Sequence, residues 1–327
     1  MGAGNADTGY PFSSRPTDVY THPLGTLPAG IKEDHCMNKM LSNKKTIAIF
    51  ILPALLIFTL IIPVPLLMSV GLSFFDWDLL SSARFVGIRN FVKLFTRDDI
   101  FRRSIGNTFQ YLGLSVLFQI PLAYFLAILL TRGKRFEKLV RNTVFMPAII
   151  SGTAVSLMFY FIFHPEVGLL NAFLRMVGQE DLVHFWLADS KTAMVCVCIA
   201  VAWQWVGYHM VIFVTGITSI SNDMIEAAKI DGANSWQLTT KIITPNMKPV
   251  LRVSIVLITT SSFKAFDSIY VMTGGGPAHA TEVMASHMYN KAFLQLDYGY
   301  GCAIGLILFL FCLVFSGVIQ TILKDRG

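Results

Sequence analysis

Six long apolar stretches constrain this sequence more than any other feature. A helix needs roughly 20 residues to cross about 30 Å of hydrocarbon, and every one of these stretches is long enough. The first and the last are almost entirely Ile, Leu, Phe and Val, whereas the middle four carry more polar residues. The predicted spans are 46–72, 107–131, 142–163, 192–218, 249–272 and 298–323. We therefore expect an all-α integral membrane protein with about six transmembrane helices.

The charge content agrees with this fold class. Charged residues make up 14% of the 327 residues, whereas about 25% is usual in soluble domains. The net charge is +6, but the basic residues gather at the ends of apolar segments and form no single basic patch. This distribution predicts contact with a lipid bilayer and no nucleic-acid partner.

Several classes of chemistry find no support in the residue patterns. The five cysteines are scattered along the chain, so neither a metal site nor a disulfide framework is favoured. There is no GxxxxGK[ST] phosphate-binding loop, no HExxH and no GxSxG. We therefore predict that the chain is not an enzyme, has no catalytic residues and binds no metal, nucleotide or other cofactor by itself.

The ends of the chain and its basic residues predict domain organisation and orientation. Residues 1–43 are expected to be a disordered tail, because their Gly-, Pro- and Ser-rich beginning lacks apolar periodicity. Residues 44–327 are expected to form the transmembrane domain. Lys and Arg cluster before the first span, in the second and fourth loops and after the last span, so both termini are predicted to be cytoplasmic.

One loop disagrees with this orientation. Six basic residues lie between the first two spans, in a loop that the span count places outside. Part of this loop reads as an amphipathic interfacial helix. Its predicted buried side consists of Phe91, Val92, Leu94 and Phe95.

A polar segment between the fourth and fifth spans has the pattern of two short helices with a break between them. Asp223 is a candidate cap for the first helix, with Glu226 as its reciprocal partner in a capping box. The dipeptide Asp231-Gly232 predicts the break, since glycine readily takes the left-handed conformation that ends a helix. The loop is expected to cover residues 220–248.

The second half of this segment repeats the capping pattern. Asn234 and Gln237 have the spacing of another capping box, and Pro245 and Pro249 precede the next span. The segment resembles the EAA loop of bacterial ABC-importer permeases, apart from Thr244 in place of the usual leucine. The residues that match the pattern are Glu226, Ala227, Ala228, Gly232, Ile242 and Pro245. The alternative is a generic amphipathic cytoplasmic connector.

The fifth span is unusually polar. Ser, Thr, Lys and Asp side chains are embedded in residues 254–268, and they either line a polar path or hold helices together. Lys264 and Asp267 are three residues apart, so a continuous helix would place them on one face as a pair. They either line a path, or Lys264 extends to the interface and Asp267 neutralises it.

A glycine-rich loop follows this span. The run FKAFDSIYVMTGGGP at 263–277 resembles the F-D-x-x-Y-x-x-T-x-G-G-P signature of maltose-type carbohydrate-importer permeases. More specifically, it resembles the permease subunit type that carries this loop. Taken alone, GGGP would indicate only a turn.

The fourth span combines aromatic and hydrogen-bonding side chains. Gln204 and Tyr208 lie four apart on one helix face, with Trp205 beside them, a combination suited to sugars. Trp203 is better explained as a packing residue, and His209 is expected to be structural. With the family resemblance, the substrate-path candidates are Gln204, Trp205, Tyr208, Ser261, Ser262, Lys264 and Asp267.

The resemblance implies a permease subunit of a binding-protein-dependent sugar importer in a bacterial cell membrane. Its implied partners are a second homologous permease, two ATPase subunits that carry ATP and Mg, and an extracellular sugar-binding protein. Residues implied in ATPase coupling are Glu226, Ala227, Ala228, Asp231, Gly232, Ile242 and Pro245. Two alternatives stay open at this point: an ABC permease for another small solute, and an ion-driven secondary transporter that uses Lys264 and Asp267 as a charged relay.

Overall fold

The first part of the chain forms an apolar helix. The structure, a computed structural model, describes residues 44–132 and 137–322, so the predicted tail at 1–43 lies outside the described residues. The described residues divide into two units, one ending at Pro65 and the other beginning at Leu66. Within the first unit, α1 (Lys44–Ile61) contains Pro53, and its side chains from residue 47 onward are exposed. Apolar side chains exposed all round suit a helix that faces lipid.

The remaining helices follow in sequence. They are α2 (Pro63–Leu72), α3 (Arg89–Thr96), α4 (Asp99–Arg132), α5 (Glu137–Phe145), α6 (Gly152–Ile162), α7 (Leu169–Met176), α8 (Ala193–Thr218), α9 (Asn222–Ile230), α10 (Ser235–Gln237), α11 (Thr244–Asn246), α12 (Lys248–Phe263), α13 (Asp267–Met272), α14 (Met284–Tyr289) and α15 (Tyr298–Ile322). Two π-helical turns lie at Leu238–Ile243 and Asn290–Leu294. Short 3₁₀ turns lie at Met146–Ile149 and Glu180–Leu182.

Long apolar helices account for most of the predicted spans. Among the described residues, four helices are long and apolar enough to cross a membrane, and two bent helix pairs raise the number to six. The four are Ile47–Leu72, Asp99–Thr131, Ala193–Thr218 and Tyr298–Ile322. Three of them agree with the predicted bounds to within a residue or so. The second begins eight residues earlier than predicted, because its polar first turns continue the helix.

A small hairpin and α3 follow α2. Strands β1 (Phe75–Asp76) and β2 (Arg84–Phe85) pair antiparallel. The buried Asn90 side chain donates hydrogen bonds to the carbonyls of Ser73 and Phe75, at 3.0 and 2.9 Å. This amide therefore fixes α3 against the turn and the hairpin that precede it.

The predicted buried side of α3 was only partly right. Leu94 is fully buried and Phe91 partly so, but Val92 and Phe95 are 50% and 46% exposed. The helix packs through the side that carries Leu94 and the buried amide of Asn90. The contact with the hairpin therefore determines which side of α3 is buried.

The predicted third span, 142–163, is broken. Its two halves, Lys138–Ile149 and Gly152–Ile162, meet at an angle of 97°. Pro147 lies in a 3₁₀ turn, and Ile150 and Ser151 are extended, with ψ angles of 144° and 133°. A continuous helix was the wrong expectation, because two extended residues interrupt its hydrogen-bond ladder.

The predicted fifth span, 249–272, is also interrupted. Helix α12 ends at Phe263, and the short helix α13 begins only at Asp267 and packs against α6. Helix α12 is itself bent by 64° from the segment Ser235–Asn246 before it. Two half-length helices, α6 and α13, therefore stand together, each beginning at a break.

Helix α8 packs closely against the backbone just before the break in the predicted third span. Gly207 of α8 lies against the end of α5, where a Cβ atom would be 2.0 Å from the carbonyl oxygen of Val144. A side chain at this position would collide with backbone, which cannot move as a flexible side chain does. Glycine therefore lets α8 support the chain just before it bends.

Helix α4 joins two regions that are far apart along the fold. Near its beginning, Arg103 and Asn107 donate hydrogen bonds to the carbonyls of Ala278 and Glu282, each at 2.8 Å. Further along, Tyr124 contacts Thr244. At 1.5 Å per residue, about 30 Å of helix separates the two contacts, which is about the thickness of the hydrocarbon core. The glycine loop (residues 273–283) and the coupling segment (residues 220–248) therefore lie near opposite ends of α4.

Candidate functional site: a coupling segment and a polar cavity

The coupling segment has the predicted helix-break-helix form, but its first cap differs. Helix α9 is capped by Ser221, whose hydroxyl accepts a hydrogen bond from the N–H of Met224. Asp223 already lies in the first helical turn, so the predicted capping box of Asp223 and Glu226 is wrong. Serine at 221 takes the cap because its backbone is extended, with φ −60° and ψ 137°.

The break itself is as predicted. Asp231 ends α9, and Gly232 has φ +81°, a conformation that favours glycine. Asn234 and Gln237 then form a capping box, with hydrogen bonds of 2.8 and 2.9 Å in the two directions. The predicted second cap is confirmed.

Most predicted coupling residues lie at the surface of this segment. Glu226, Ala227, Asp231, Gly232 and Pro245 are exposed, whereas Ala228 and Ile242 are partly buried. The five exposed residues are available to a partner. The other two also pack within the chain.

Exposed apolar side chains in the same segment were not among the predicted residues. Ile230 is 86% exposed, Trp236 is 74% exposed and Met224 is 43% exposed. A polar segment seldom leaves a tryptophan and an isoleucine this exposed without a partner. Their presence in an otherwise polar stretch was a signal that sequence analysis could have used.

The structure explains Thr244, the residue that departs from the family pattern. Its hydroxyl donates to the carbonyl of Thr239 at 2.8 Å and lies 2.6 Å from the hydroxyl of Tyr124. Because the threonine proton is already used, the tyrosine hydroxyl is the donor of the second bond. A leucine could make neither bond, so this chain holds its coupling segment to α4 by polar contacts.

A polar cavity of about 400 Å³ lies between α4, α6, α8, α12 and α13. Its volume is within the range of small-molecule sites, about 300–1,000 Å³. The structure brings all seven predicted substrate-path residues to its wall. They are Gln204, Trp205, Tyr208, Ser261, Ser262, Lys264 and Asp267.

The two helix breaks shape this cavity. Gln204 of α8 donates a hydrogen bond to the carbonyl of Ile150, in the extended break, at 2.9 Å. A Cβ atom added at Gly152 would lie 3.9 Å from both the Asp267 carboxylate and the Gln204 amide oxygen. The beginning of α6 and the beginning of α13 therefore meet at the cavity wall.

Lys264 and Asp267 are not arranged as predicted. Lys264 follows the end of α12 and Asp267 begins α13, so the break removes the shared helix face. Among the described residues, Lys264 and Asp267 form no ion pair with each other. Both side chains are exposed and line the cavity. Each is free to contact a solute separately.

Part of the cavity wall was not predicted from the sequence. Tyr111, Ser115 and Gln119 contribute from the middle of α4, and Gly152 and Ser156 contribute from α6. These residues lie on the second and third spans, where polar side chains at helical spacing were the available signal. They add to the polar lining that α8, α12 and α13 provide.

His209 also belongs to the cavity and is not merely a packing residue. It lines the wall and is 4% exposed, and within the described part of the chain its Nδ1 has no hydrogen-bond partner. The hydroxyl of the buried Ser262 is likewise unpaired there. Buried polar atoms without partners are costly, so these two are suited to bind a polar solute or water.

Aromatic rings lie beside these polar groups. Trp205 and Tyr208 are 40% and 37% exposed, and their ring centroids are 6.0 Å apart at 90°. Trp203 instead packs edge-on against Phe159 at 5.5 Å, in agreement with its predicted packing role. Among the aromatic residues of α8, the cavity therefore receives Trp205 and Tyr208.

Two other hydroxyl groups of α12 have local partners. Thr259 and Thr260 donate to carbonyls of their own helix, at 2.8 and 2.9 Å. They are absent from the cavity wall. Only the last turn of α12 contributes hydroxyl groups to the cavity, through Ser261 and Ser262.

Comparison with known proteins identifies the family. Residues 119–326 match the model of the binding-protein-dependent transport system inner membrane component. The "Probable ABC transporter permease protein YurN" of Bacillus subtilis (strain 168) is 35% identical over 277 residues, 84% of this chain and 94% of that protein. The "Probable starch degradation products transport system permease protein AmyD" of Thermoanaerobacterium thermosulfurigenes is 32% identical over 284 residues, 85% of this chain and 93% of that protein.

A solved structure shares the fold. A chain of the bacterial alginate ABC transporter, in complex with an alginate pentasaccharide-bound periplasmic protein, superposes with a TM-score of 0.72 at 24% identity. The match covers 89% of this chain and 95% of that chain. With the coupling segment, the cavity and the two matched relatives, the family is established: the chain belongs to the inner membrane components of binding-protein-dependent transport systems, and it is an ABC permease subunit.

Proposed function

We propose that this chain forms half of the translocation path of an ATP-driven sugar importer. The observation that carries the proposal is the cavity, where aromatic rings and hydrogen-bonding groups converge at two helix breaks. Relatives support it, since AmyD is named for starch degradation products. The same cavity provides both kinds of contact that a sugar needs: rings for its C–H faces, and hydrogen-bond donors and acceptors for its hydroxyls.

The contacts can be assigned by side-chain chemistry. Trp205 and Tyr208 provide stacking surfaces. Gln204 uses one amide proton on Ile150 and keeps its oxygen for a solute. Ser262 and His209 offer their unpaired atoms. A sugar in the cavity would give these groups hydrogen-bond partners.

Coupling to ATP hydrolysis would take place at the coupling segment. Two partner ATPase subunits would bind ATP and Mg and dock on α9, where Glu226 supplies a carboxylate and Ala227 allows close approach. Ile230 and Trp236 would enter apolar pockets of that partner. The path would be completed by a second, homologous permease, and an extracellular sugar-binding protein would deliver the cargo near the glycine loop.

This proposal implies an orientation. The coupling segment and both termini would face the cytoplasm of a bacterial cell, and the glycine loop would face outward. Closure of the ATPases would move α9, and the half-helices α6 and α13 would change position relative to α5 and α12 at the breaks. Because discontinuous helices commonly surround transport sites, the cavity is where access would alternate.

The partner assignment is tested by purifying the tagged chain from its native membrane. Stoichiometric ATPase and permease subunits are expected. Proton-coupled uptake by the chain alone, without an ATPase, would instead support an ion-driven secondary transporter. The loss of a shared face between Lys264 and Asp267 already removes the charged pair on which that alternative relied.

The cargo is tested with the complex reconstituted together with its binding protein. Oligosaccharides are expected to stimulate ATP hydrolysis, whereas amino acids and dipeptides are expected to have no effect. Stimulation by an amino acid, a peptide or a metal ion, with no response to any saccharide, would keep the permease and refute the sugar. The two experiments therefore separate the class of transporter from its cargo.

A further inference from the structure

A buried cluster of charged side chains lies beside the glycine loop, and none of its members lines the cavity. His287 of α14 is 2% exposed. Its Nε2 lies 3.0 Å from the carboxylate of Asp98, and its Nδ1 lies 3.2 Å from the carboxylate of Glu282. We call Asp98, Glu282 and His287 the histidine cluster. Its three members come from the start of α4, the end of the glycine loop and α14.

The geometry favours one protonation state of the ring. A carboxylate only accepts hydrogen bonds, and a neutral imidazole donates through just one nitrogen. Either neutral tautomer of His287 would place a nitrogen lone pair against a carboxylate oxygen. When both carboxyl groups are ionised, only the imidazolium donates to both of them, so the contacts favour the doubly protonated ring.

Both carboxylates have further partners. Asp98 accepts hydrogen bonds from the Phe101 N–H at 2.9 Å and from the Tyr300 hydroxyl at 2.8 Å. Glu282 accepts from the Asn290 amide at 3.1 Å and also contacts the His279 ring. These bonds leave each carboxylate well satisfied despite its burial.

The pKa values of the carboxylates follow from these contacts. Burial alone would raise the pKa of Asp98, but hydrogen bonds from Phe101, His287 and Tyr300 outweigh burial and lower it. Burial would likewise raise the pKa of Glu282, but hydrogen bonds from His287, His279 and Asn290 lower it. Both groups are therefore anionic at neutral pH and favour the cation between them.

Hydrogen bonds from side chains of α4 to backbone carbonyls hold the glycine loop next to this cluster. Arg103 and Asn107 hold the carbonyls of Ala278, His279 and Glu282. Within the loop, a Cβ atom on Gly275 would lie 3.2 Å from Cβ of Glu282. The loop is therefore folded onto the residue that His287 anchors.

The loop is in turn the continuation of the cavity wall. Helix α13 carries Asp267 into the cavity, ends at Met272 and leads directly into Thr273. We propose that His287, held between Asp98 and Glu282, is a positioning residue that fixes the glycine loop, and α13 through it. This inference uses neither the cargo nor the ATPase partner, so it can fail or hold separately from the proposed function.

Other charged groups near the cluster have different partners. Lys93 lies 4.2 Å from the centre of the Tyr300 ring and pairs with Asp297 at 3.6 Å. Arg102 pairs with Asp99. The charged or titratable groups around His287 are Asp98, Asp99, Arg102, Arg103 and Lys93 from the preceding elements, His279 and Glu282 from the loop, and Lys291, Asp297 and Tyr300 from the following ones. Among the described residues, only His287 has a carboxylate at each ring nitrogen.

The proposal is tested by amide hydrogen exchange of the glycine loop in the full chain, purified in phospholipid nanodiscs. At pH 7, wild-type protection of the loop is expected to be about tenfold or more higher than that of His287→Gln, because the substitution breaks a buried pair. The matched control is His184→Gln, which removes a more exposed histidine paired with a single carboxylate, Asp189, at 2.9 Å. It is expected to follow the wild type.

A second measurement keeps the test valid if His287→Gln does not fold. Nitrogen-15 spectra of the wild-type protein are expected to show one buried histidine with both ring nitrogens protonated at pH 7, near the ring protons of Phe101, whose centroid lies 6.3 Å away. A neutral His287 at pH 7, or equal loop protection in the wild type and His287→Gln, would overturn the proposal.

Discussion

The hydroxyl groups of Tyr124 and Thr244 lie 2.6 Å apart and join α4 to the coupling segment. The contact crosses between elements that are 120 residues apart in sequence. It also uses the position where the family pattern has leucine. A polar contact therefore joins α4 to the coupling segment at this position.

Removing either hydroxyl should weaken this connection. Tyr124→Phe and Thr244→Val are each expected to destabilise the protein, with a coupling energy of about 1 kcal/mol in a double-mutant cycle, because they break one shared hydrogen bond. Denaturant titration of the purified protein measures it. Thr260→Val is the control, since that hydroxyl bonds only within its own helix. Strictly additive effects of the two substitutions would contradict the expected coupling.

The left-handed break of the coupling segment should be required for coupling. Proline cannot adopt φ +81°, the value at Gly232, so Gly232→Pro is expected to leave the protein in the membrane but abolish sugar-stimulated ATP hydrolysis. Glu226→Lys is expected to do the same through charge reversal. Gly178→Pro is the matched control for the proline, because Gly178 has φ +73° in another loop. Normal stimulation in Gly232→Pro complexes would show that the break is not needed.

The exposed apolar residues should contribute to partner binding. Trp236→Ser is expected to weaken binding of the ATPase subunit by about 2 kcal/mol, or about 30-fold, because aromatic residues dominate such interfaces. Ile230→Ser should have a smaller effect in the same direction. Leu182→Ser serves as control, since Leu182 is 55% exposed but lies in a different loop. Equal affinity for wild type and Trp236→Ser, measured with purified subunits, would exclude this contact.

The close approach at the first helix break should be sensitive to a single methyl group. Gly207→Ala places Cβ 2.0 Å from the Val144 carbonyl oxygen, so a loss of about 1–3 kcal/mol is expected from overpacking. Gly113→Ala adds the same methyl group in α4 where nothing lies within 4 Å, and it should be neutral or stabilising. Thermal unfolding of both variants makes the comparison. Equal stability of the two would contradict the packing argument.

The histidine cluster should also appear in the pH dependence of stability. Because Asp98 and Glu282 have lowered pKa values in the folded protein, their stabilising effect is present above the ordinary carboxyl range, about pH 4, and is lost as pH falls through the lowered values. Glu282→Gln is expected to be less stable than wild type at pH 7. The difference should shrink on acidification. A difference in Tm that stays constant from pH 7 to pH 3 would refute this linkage.

Local features were predictable where neighbouring residues determine them. The capping box at Asn234 and Gln237, and the break at Gly232, depend only on residues a few positions apart. Spacing alone could not choose between Ser221 and Asp223 as the cap of α9, because both are good capping residues. The outcome depended on where the preceding helix α8 ended, at Thr218.

Features that depend on distant contacts were not predictable. The apolar run at 142–163 gave no sign that Ile150 would be extended and bound by Gln204 from another helix. The interruption before Asp267 depends in the same way on packing of α13 against α6. The histidine cluster joins residues 98, 282 and 287, which no local pattern connects. By contrast, the seven cavity residues came from two short polar stretches beside the coupling segment and glycine loop, and so could be selected from the sequence.

The exposure of Ile230 and Trp236 has a consequence for how the cell handles this subunit. A copy made in excess of its partners would keep both side chains in water, and such apolar surfaces are what chaperones and degradative proteases engage. The subunit that covers them would therefore protect this chain from turnover. The steady-state amount of this chain should therefore follow the supply of its partner more closely than the rate at which the chain itself is made.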